Sequence, residues 1–247
     1  MDPMIYTAMN GARNSLDRQA TITHNLANVN TSGFRQQLDA TRAVPVNAQG
    51  MMETRTAAVA STPSFDSTAG PVNQTGRPLD VAIRGEGWLA VQAPDGTESY
   101  TRRGDLSIDE NGMLNSNGRP VLGDGGPIMV PLGAQLTIGE DGTITALAPG
   151  QNPDEVAEVD RLKLVSAQPG QLVRGDDGLF RSVNNAPLNA DDAVRVVSGA
   201  LEGSNVSAVE AMVAMISNQR MFDMQMKVVS TADENAQRAN SLLSMSG

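Results

Sequence analysis

The chain has 247 residues, enough for one substantial core or a core with appendages, yet only 40% are apolar and 3% aromatic. With 24 Gly and 13 Pro the composition is turn-rich, in keeping with β structure rather than an enzyme built round a deep pocket. A net charge of −10 argues against nucleic acid and anionic membranes as partners, and the absence of cysteine excludes disulfides and thiolate metal sites.

The charge is uneven. The first 50 residues hold four Arg and three acids, and residues 201–247 hold three basic and five acidic groups. The middle carries the negative excess, while the ends are nearly neutral, as protein-packing surfaces are. The opening "MDPMIYTAMNGARNSL" has no basic start, apolar run or small-residue cleavage site, so it does not read as a secretory signal. No window approaches the length of a membrane span.

Asp2-Pro3 reads as a helix start, with Asp as N-cap and Pro at the first helical position. From there Ile5, Met9, Ala12, Leu16, Gln19, Thr23 and Leu26 recur at alternating spacings of four and three, a heptad seam that grows polar along its length. The Asn, Thr and Ser cluster leading to Gly33 predicts a helix stop near Asn28, and residues 1–34 form the first segment. Residues 35–76 show no helical period and read as an extended connector with local β pairing. Residues 77–200 are an all-β domain. Their turn signals are Asp95-Gly96, Asn111-Gly112, Asn117-Gly118, Asp124-Gly125, Asp141-Gly142 and Asp177-Gly178, and "LDVAI", "WLAVQ", "QLTIG", "TITAL" and "RLKLV" have strand length and pattern.

Residues 201–247 return to helix. Ser207-Ala-Val-Glu210 is a capping box. The four-three rhythm then runs through Ala208, Met212, Met215, Gln219, Phe222, Met226, Val229, Asp233, Ala236, Asn240 and Leu243, with no Pro or Gly before Gly247. Such a helix spans about 55 Å. An isolated helix with one apolar stripe is marginal in water, so both ends need helical partners. Two arrangements meet that need: a two-helix hairpin between the termini, or a packing surface completed by neighbouring subunits.

Little reads as catalytic. His24 is the only histidine, and the acid pairs Asp109-Glu110, Asp176-Asp177 and Asp191-Asp192 lie in or beside turns, where Asp serves the backbone. "GDGGP" at 123–127 lacks the Lys-Ser/Thr and helix of a phosphate loop. No catalytic residue, metal ligand set or cofactor is nominated. Thirteen Met are adaptable packing material, and only Lys163 and Lys227 among the 18 basic residues are not Arg.

The stretches "NLANVNTSGF", "GRPLDVAIRGEGWLAVQAPDGTESYTRRGDLSIDENGMLNSNGRPVLGDGGPI" and "SGALEGSNVSAVEAMVAMISNQRMFDMQMKVVSTADENAQRANSLLSM" resemble the bacterial flagellar rod and hook axial proteins from end to end. The opening "MDPMIYTAMNGA" and the "GWLAVQ" strand resemble its proximal rod members, with a distal rod subunit as the alternative. The resemblance implies a non-enzymatic subunit of the basal-body rod that crosses the periplasm and transmits torque. It implies passage through the flagellar type III export apparatus without a cleaved signal, other rod subunits as partners, and neither nucleic-acid binding nor membrane insertion. It also implies an α+β fold, its long N- and C-terminal helices packing as coiled-coil-like layers with the all-β domain inserted between them. The family's assembly motif falls on Asn25, Leu26, Ala27, Asn28, Gly33 and Phe34, and on Leu201, Glu202, Gly203, Ser204, Asn205 and Val206. Asn25 and Asn28 are expected to bond helix-end carbonyls while Phe34 anchors the turn. A β-rich exported carbohydrate-binding module is the rival from another class, and it calls for exposed aromatics.

Overall fold

A computed structural model of the chain describes residues 3–39, 41–45, 56–60, 64–148, 150, 156–168, 170–175 and 177–245. Two helices, α1 (Pro3–Ala27) and α2 (Ala208–Met245), bracket a succession of short strands. α1 begins on Pro3, whose missing N–H is no loss at a helix start. Asp2, its expected cap, lies outside the described residues. α2 begins directly after Ser207, whose hydroxyl accepts a hydrogen bond from the Glu210 N–H at 3.4 Å and whose carbonyl accepts from Ala211 at 2.9 Å. By internal contacts the chain forms two compact units, one of residues 1–27, 37–64 and 207–247, the other of residues 28–36 and 65–206.

In the first unit α1 and α2 pair antiparallel. Ser15 donates to Gln225 at 3.2 Å, while Asn218 donates to the Ser15 carbonyl at 2.8 Å and to Gln19 at 2.9 Å. The seam buries Ala8, Ala12, Ser15 and Ile22 from α1 against Ala211, Asn218 and Ala232 from α2. Ile5, Gln19, Leu26, Met215, Phe222, Gln225 and Val229 are half-buried beside them. A seven-residue repeat is kept through Ile5, Ala12, Gln19 and Leu26 and through Met215, Phe222 and Val229. The alternate positions fall one residue from those expected. Small side chains and amides take the contact because small residues let the helices approach and the amides find partners across the pair. The bulkier Met9, Leu16, Met212 and Met226 are left exposed. A hairpin of Thr41–Pro45 with Thr56–Ala60 completes this unit.

The coiled-coil-like layers expected of the terminal helices are therefore corrected. Among the described residues there are two helices, and they close on each other as a single pair. A layer needs further helices, and the described residues supply none. The pair's seam takes Ile5, Leu26, Met215, Phe222 and Val229 but leaves Met9, Leu16, Met212 and Met226, which the layered arrangement also invoked, exposed.

The second unit is β throughout. Its largest sheet runs, in spatial order, Leu164–Val165, Trp88–Gln92, Glu98–Thr101, Phe180–Ser182 and Leu172–Arg174. A second sheet joins Gln135–Ile138, Thr143–Leu147 and Ala157–Arg161, so "RLKLV" divides between two sheets rather than forming one strand. Alternation is plain in the second sheet: Leu136, Ile138, Ile144 and Ala146 point inward and their neighbours outward. Together with Val81, Leu89, Val91, Leu114 and Val121 they build one core, and a smaller cluster forms round Trp88, Tyr100 and Phe180. Asn117 and Gly118, at φ 51° and 73°, have the left-handed pair that a two-residue hairpin turn requires. At Asp124-Gly125 the left-handed residue is instead Gly126.

Tyr100 ties the smaller cluster to a loop. Its hydroxyl donates to Glu98 at 2.8 Å and accepts from the Leu188 N–H at 2.6 Å. Burial pushes the phenol above its ordinary value, with the Glu98 carboxylate adding to the effect. A raised folded pKa gives a contribution that is whole below the unfolded tyrosine value, about 10, and is lost as pH climbs through the folded one. Tyr100→Phe is expected to cost about 1–2 kcal/mol at neutral pH, by stranding the Leu188 N–H, and to lose less further stability than wild type between about pH 9 and pH 11. Urea unfolding at neutral pH and across that range checks both.

Candidate functional site

The amide-rich turn after α1 forms from the residues that stop the helix. The Asn28 carbonyl accepts from the Thr31 N–H at 3.1 Å, and its side-chain oxygen accepts from the Thr31 hydroxyl at 3.1 Å. Asn25 is buried and uses its amide as a second peptide group. It donates to the Gln37 carbonyl at 2.8 Å and accepts from the Gln37 N–H at 2.9 Å. The expectation was a bond to helix-end carbonyls, and the partner is instead the strand that follows. Leu26 is half-buried and Ala27 exposed.

Within the β unit, residues 28–36 meet the returning segment 200–206. Gly33 sits at φ +66°, donates to the Glu202 carbonyl at 2.8 Å, and packs so closely that an added Cβ would lie 2.3 Å from the carbonyl carbon of Arg102. Phe34 is buried beneath the Arg174 guanidinium, 4.5 Å above its ring, and Arg174 also donates to the Arg35 carbonyl at 3.0 Å. Asn205 braces three segments: its oxygen accepts from the Gln36 N–H at 2.7 Å, and its NH2 reaches the carbonyls of Asp66 at 3.2 Å and Thr68 at 3.0 Å. Leu201 and Glu202 pair antiparallel with Asn73 and Val72, and Gly203 donates to the Pro71 carbonyl at 2.7 Å. Ser204 and Val206 are buried, the Ser204 hydroxyl accepting from the Val206 N–H at 3.2 Å.

Glu202 is the hub of this clasp. Its Oε1 lies 2.6 Å from Arg35 and accepts from the Gly70 N–H at 3.0 Å, while its Oε2 lies 3.0 Å from Arg102 Nε. All three side chains are essentially inaccessible, 2% or less. Arg35 also donates to the Thr68 carbonyl at 2.6 Å, and Arg102 to the carbonyls of Gly85, at 2.8 Å, and Gly87. Burial lowers the Arg102 pKa from its ordinary value, Glu202 opposing the change and Arg35 adding to it. One carboxylate thus binds two guanidinium groups and a backbone amide, joining four stretches of chain. Sequence reasoning placed Glu202 in the motif but missed Arg35 and Arg102. Its usable signal was a carboxylate in the strand "ALEG", which needs cations once buried.

A second feature lies on the helix pair. Val209, Met212, Val213 and Ile216 recur at i, i+3, i+4 and i+7 and are all more than half exposed, Val209 at 72%. Met221, Met224 and Val228 form another exposed apolar run, and Tyr6, Met9 and Leu16 expose apolar surface on α1. Of the remaining expected seam residues, Ala208 is half-buried, Ala236 and Met226 are exposed, and the side chain of Leu243 lies outside those described. α2 is therefore apolar on its seam and on further faces, the pattern of a helix buried on several sides.

The candidate acids serve the backbone. Asp109 accepts from the Asn111 and Met113 N–H groups, and Asp191 from the Ala193 N–H. Asp177 pairs with Arg181, which holds its carboxyl below the usual range. Asp176 lies outside the described residues. The glycine-rich 123–127 stretch is a tight hairpin in which Leu122 and Gly123 pair with Pro127 and Gly126. His24 occupies the last turn of α1. Among the described residues, no helix is long and apolar enough to cross a membrane.

A clasp buried within the β unit and, in the other unit, helices with uncovered apolar faces define a structural subunit made to be packed against others. Three family models match the chain: "Flagella basal body rod protein" over residues 5–35, "Flagellar hook protein FlgE/F/G D1 domain" over 82–146, and "Flagellar basal body rod FlgEFG protein C-terminal" over 197–242. It is 54% identical to the flagellar basal-body rod protein FlgF of Salmonella typhimurium and to that of Escherichia coli K12, each covered over the whole of both chains. To the flagellar basal-body rod protein FlgG of Buchnera aphidicola subsp. Schizaphis graminum it is 26% identical, over 98% of this chain and all of that one. The chain belongs to the flagellar basal-body rod protein family, and its resemblance within the family is to FlgF.

Proposed function

We propose that the chain is a structural subunit of the proximal part of the flagellar rod, packing helically with other rod subunits and passing torque through those contacts. The observation that carries this reading is the exposed apolar surface of α1 and α2 on sides their own pairing leaves open. Two or more uncovered faces on one helix fit neighbours met through different patches, the heterologous geometry that extends an assembly rather than closing it. The clasp residues, from Gly33 and Phe34 to Glu202, Ser204 and Val206, are buried, so their part in assembly is indirect: they fix the chain entering and leaving the β unit. Passage through the flagellar type III export apparatus delivers the subunit to the periplasm.

A distal rod role is disfavoured by the lower identity to FlgG. The carbohydrate-binding alternative finds no exposed aromatic among the described residues of the β unit: Phe34, Trp88, Tyr100 and Phe180 are buried, and Phe65 is half-buried against Trp88 and Phe180. The test is the double variant Val213→Asp and Ile216→Asp. Both positions are exposed in the single chain, so its melting is expected to shift by no more than about 1 kcal/mol, while swimming of cells that depend on it is abolished. Normal swimming would exclude this face from the contacts.

A further inference from the structure

Resting on the rod-subunit reading, we propose that the exposed methionines of the helix pair are an oxidation site that blocks the subunit before it is assembled and not afterwards. Met9, Met212, Met221, Met224 and Met226 lie on α1 and α2 with 45–61% of their surface accessible. The chain has no cysteine, so thioethers are its only readily oxidised sulfur. They supply much of the apolar surface on which docking depends. Met212 is flanked by Val209, Val213 and Ile216, and Met221 and Met224 precede Val228.

The oxidant is a peroxide. The thioether sulfur attacks one peroxide oxygen, an S–O bond forms as the O–O bond breaks, sulfur loses two electrons, and the departing oxygen takes the proton to leave as water. Each sulfoxide turns a flexible apolar side chain into a polar one. Buried without a partner in a subunit contact, such a group weakens docking about tenfold or more. In the free subunit these sulfurs face solvent; in a rod that covers them, peroxide has no access. Timing thus sets the effect. Met129, 53% exposed on the β unit, is the internal reference.

The experiment uses cells lacking this subunit, supplied with either the wild-type chain or a variant carrying M9L, M212L, M221L, M224L and M226L. Hydrogen peroxide is given either during rod assembly or after it. Swimming is expected to fall about tenfold more for wild type than for the variant when peroxide comes early, and equally little for both when it comes late. Equal sensitivity of the two chains to early peroxide would overturn the proposal. Failure of untreated wild type to restore swimming would instead overturn the rod reading.

If the fivefold variant does not support swimming untreated, mass spectrometry of the wild-type chain decides alone. Sulfoxide at the helix methionines is expected to be about tenfold scarcer in isolated rods than in free subunits, with Met129 alike in both. Equal occupancy in rods and free subunits would overturn the proposal.

Discussion

Glu202→Ala is expected to destabilise the β unit by about 3–5 kcal/mol, the largest loss of any single polar substitution in the chain. It leaves Arg35 and Arg102 buried with like charge and no anion between them, and strands the Gly70 N–H as well. Urea unfolding followed by Trp88 fluorescence reads the change directly, because the Arg102 guanidinium lies 5.8 Å from that ring. Much of the loss comes from uncompensated charge rather than from the net worth of the ion pairs. Replacing all three residues together, with Glu202→Leu, Arg35→Met and Arg102→Met, is therefore expected to cost less than Glu202→Ala alone. A loss below about 1 kcal/mol for Glu202→Ala would mean that the clasp is held by its backbone bonds and not by its charges.

Gly33→Ala should come next, at about 3 kcal/mol or more. Two costs combine there. A left-handed φ of +66° disfavours any Cβ by roughly 1–2 kcal/mol. The Cβ would also lie 2.3 Å from the backbone of Arg102, which has to move and carries with it a ligand of Glu202. Gly96→Ala separates the two terms. Its φ of +81° is similarly left-handed, yet an added Cβ meets nothing within 4 Å, so only the conformational cost of about 1 kcal/mol is expected. Equal losses at the two positions would show that close approach to Arg102 contributes nothing.

The parts legible in the sequence were those set by local chemistry. Pro3, the Ser207 cap and the amide cluster after Ala27 mark helix ends because they satisfy or terminate backbone hydrogen bonding nearby. The glycine-bearing turns and the alternation in "QLTIG" and "TITAL" were readable for the same reason. The phase of the helix seam was not. Met9 and Leu16 look like core because they are apolar, whereas the contact went to Ala8, Ala12 and Ser15, whose value is smallness, and to Asn218 and Gln225, whose value depends on partners some 200 positions away. Periodicity counts hydrophobes and does not see fit. The clasp was half legible: Gly33, Phe34 and Glu202 stood out as a motif, but the pairing of Glu202 with Arg35 and Arg102 is a long-range choice among 16 arginines. The layered helices expected from the family resemblance were not found either, and the seven-residue repeat, which does not say how many helices share it, had left the hairpin open.

Cryo-electron microscopy of isolated basal bodies, at a resolution that separates side chains, tests the central claim most directly. The account predicts that Val209, Met212, Val213 and Ile216 on one face of α2, and Met221, Met224 and Val228 on another, are covered by neighbouring rod subunits, with Glu202 between its two arginines inside each copy. Rod density in which both faces of α2 look onto solvent would contradict it.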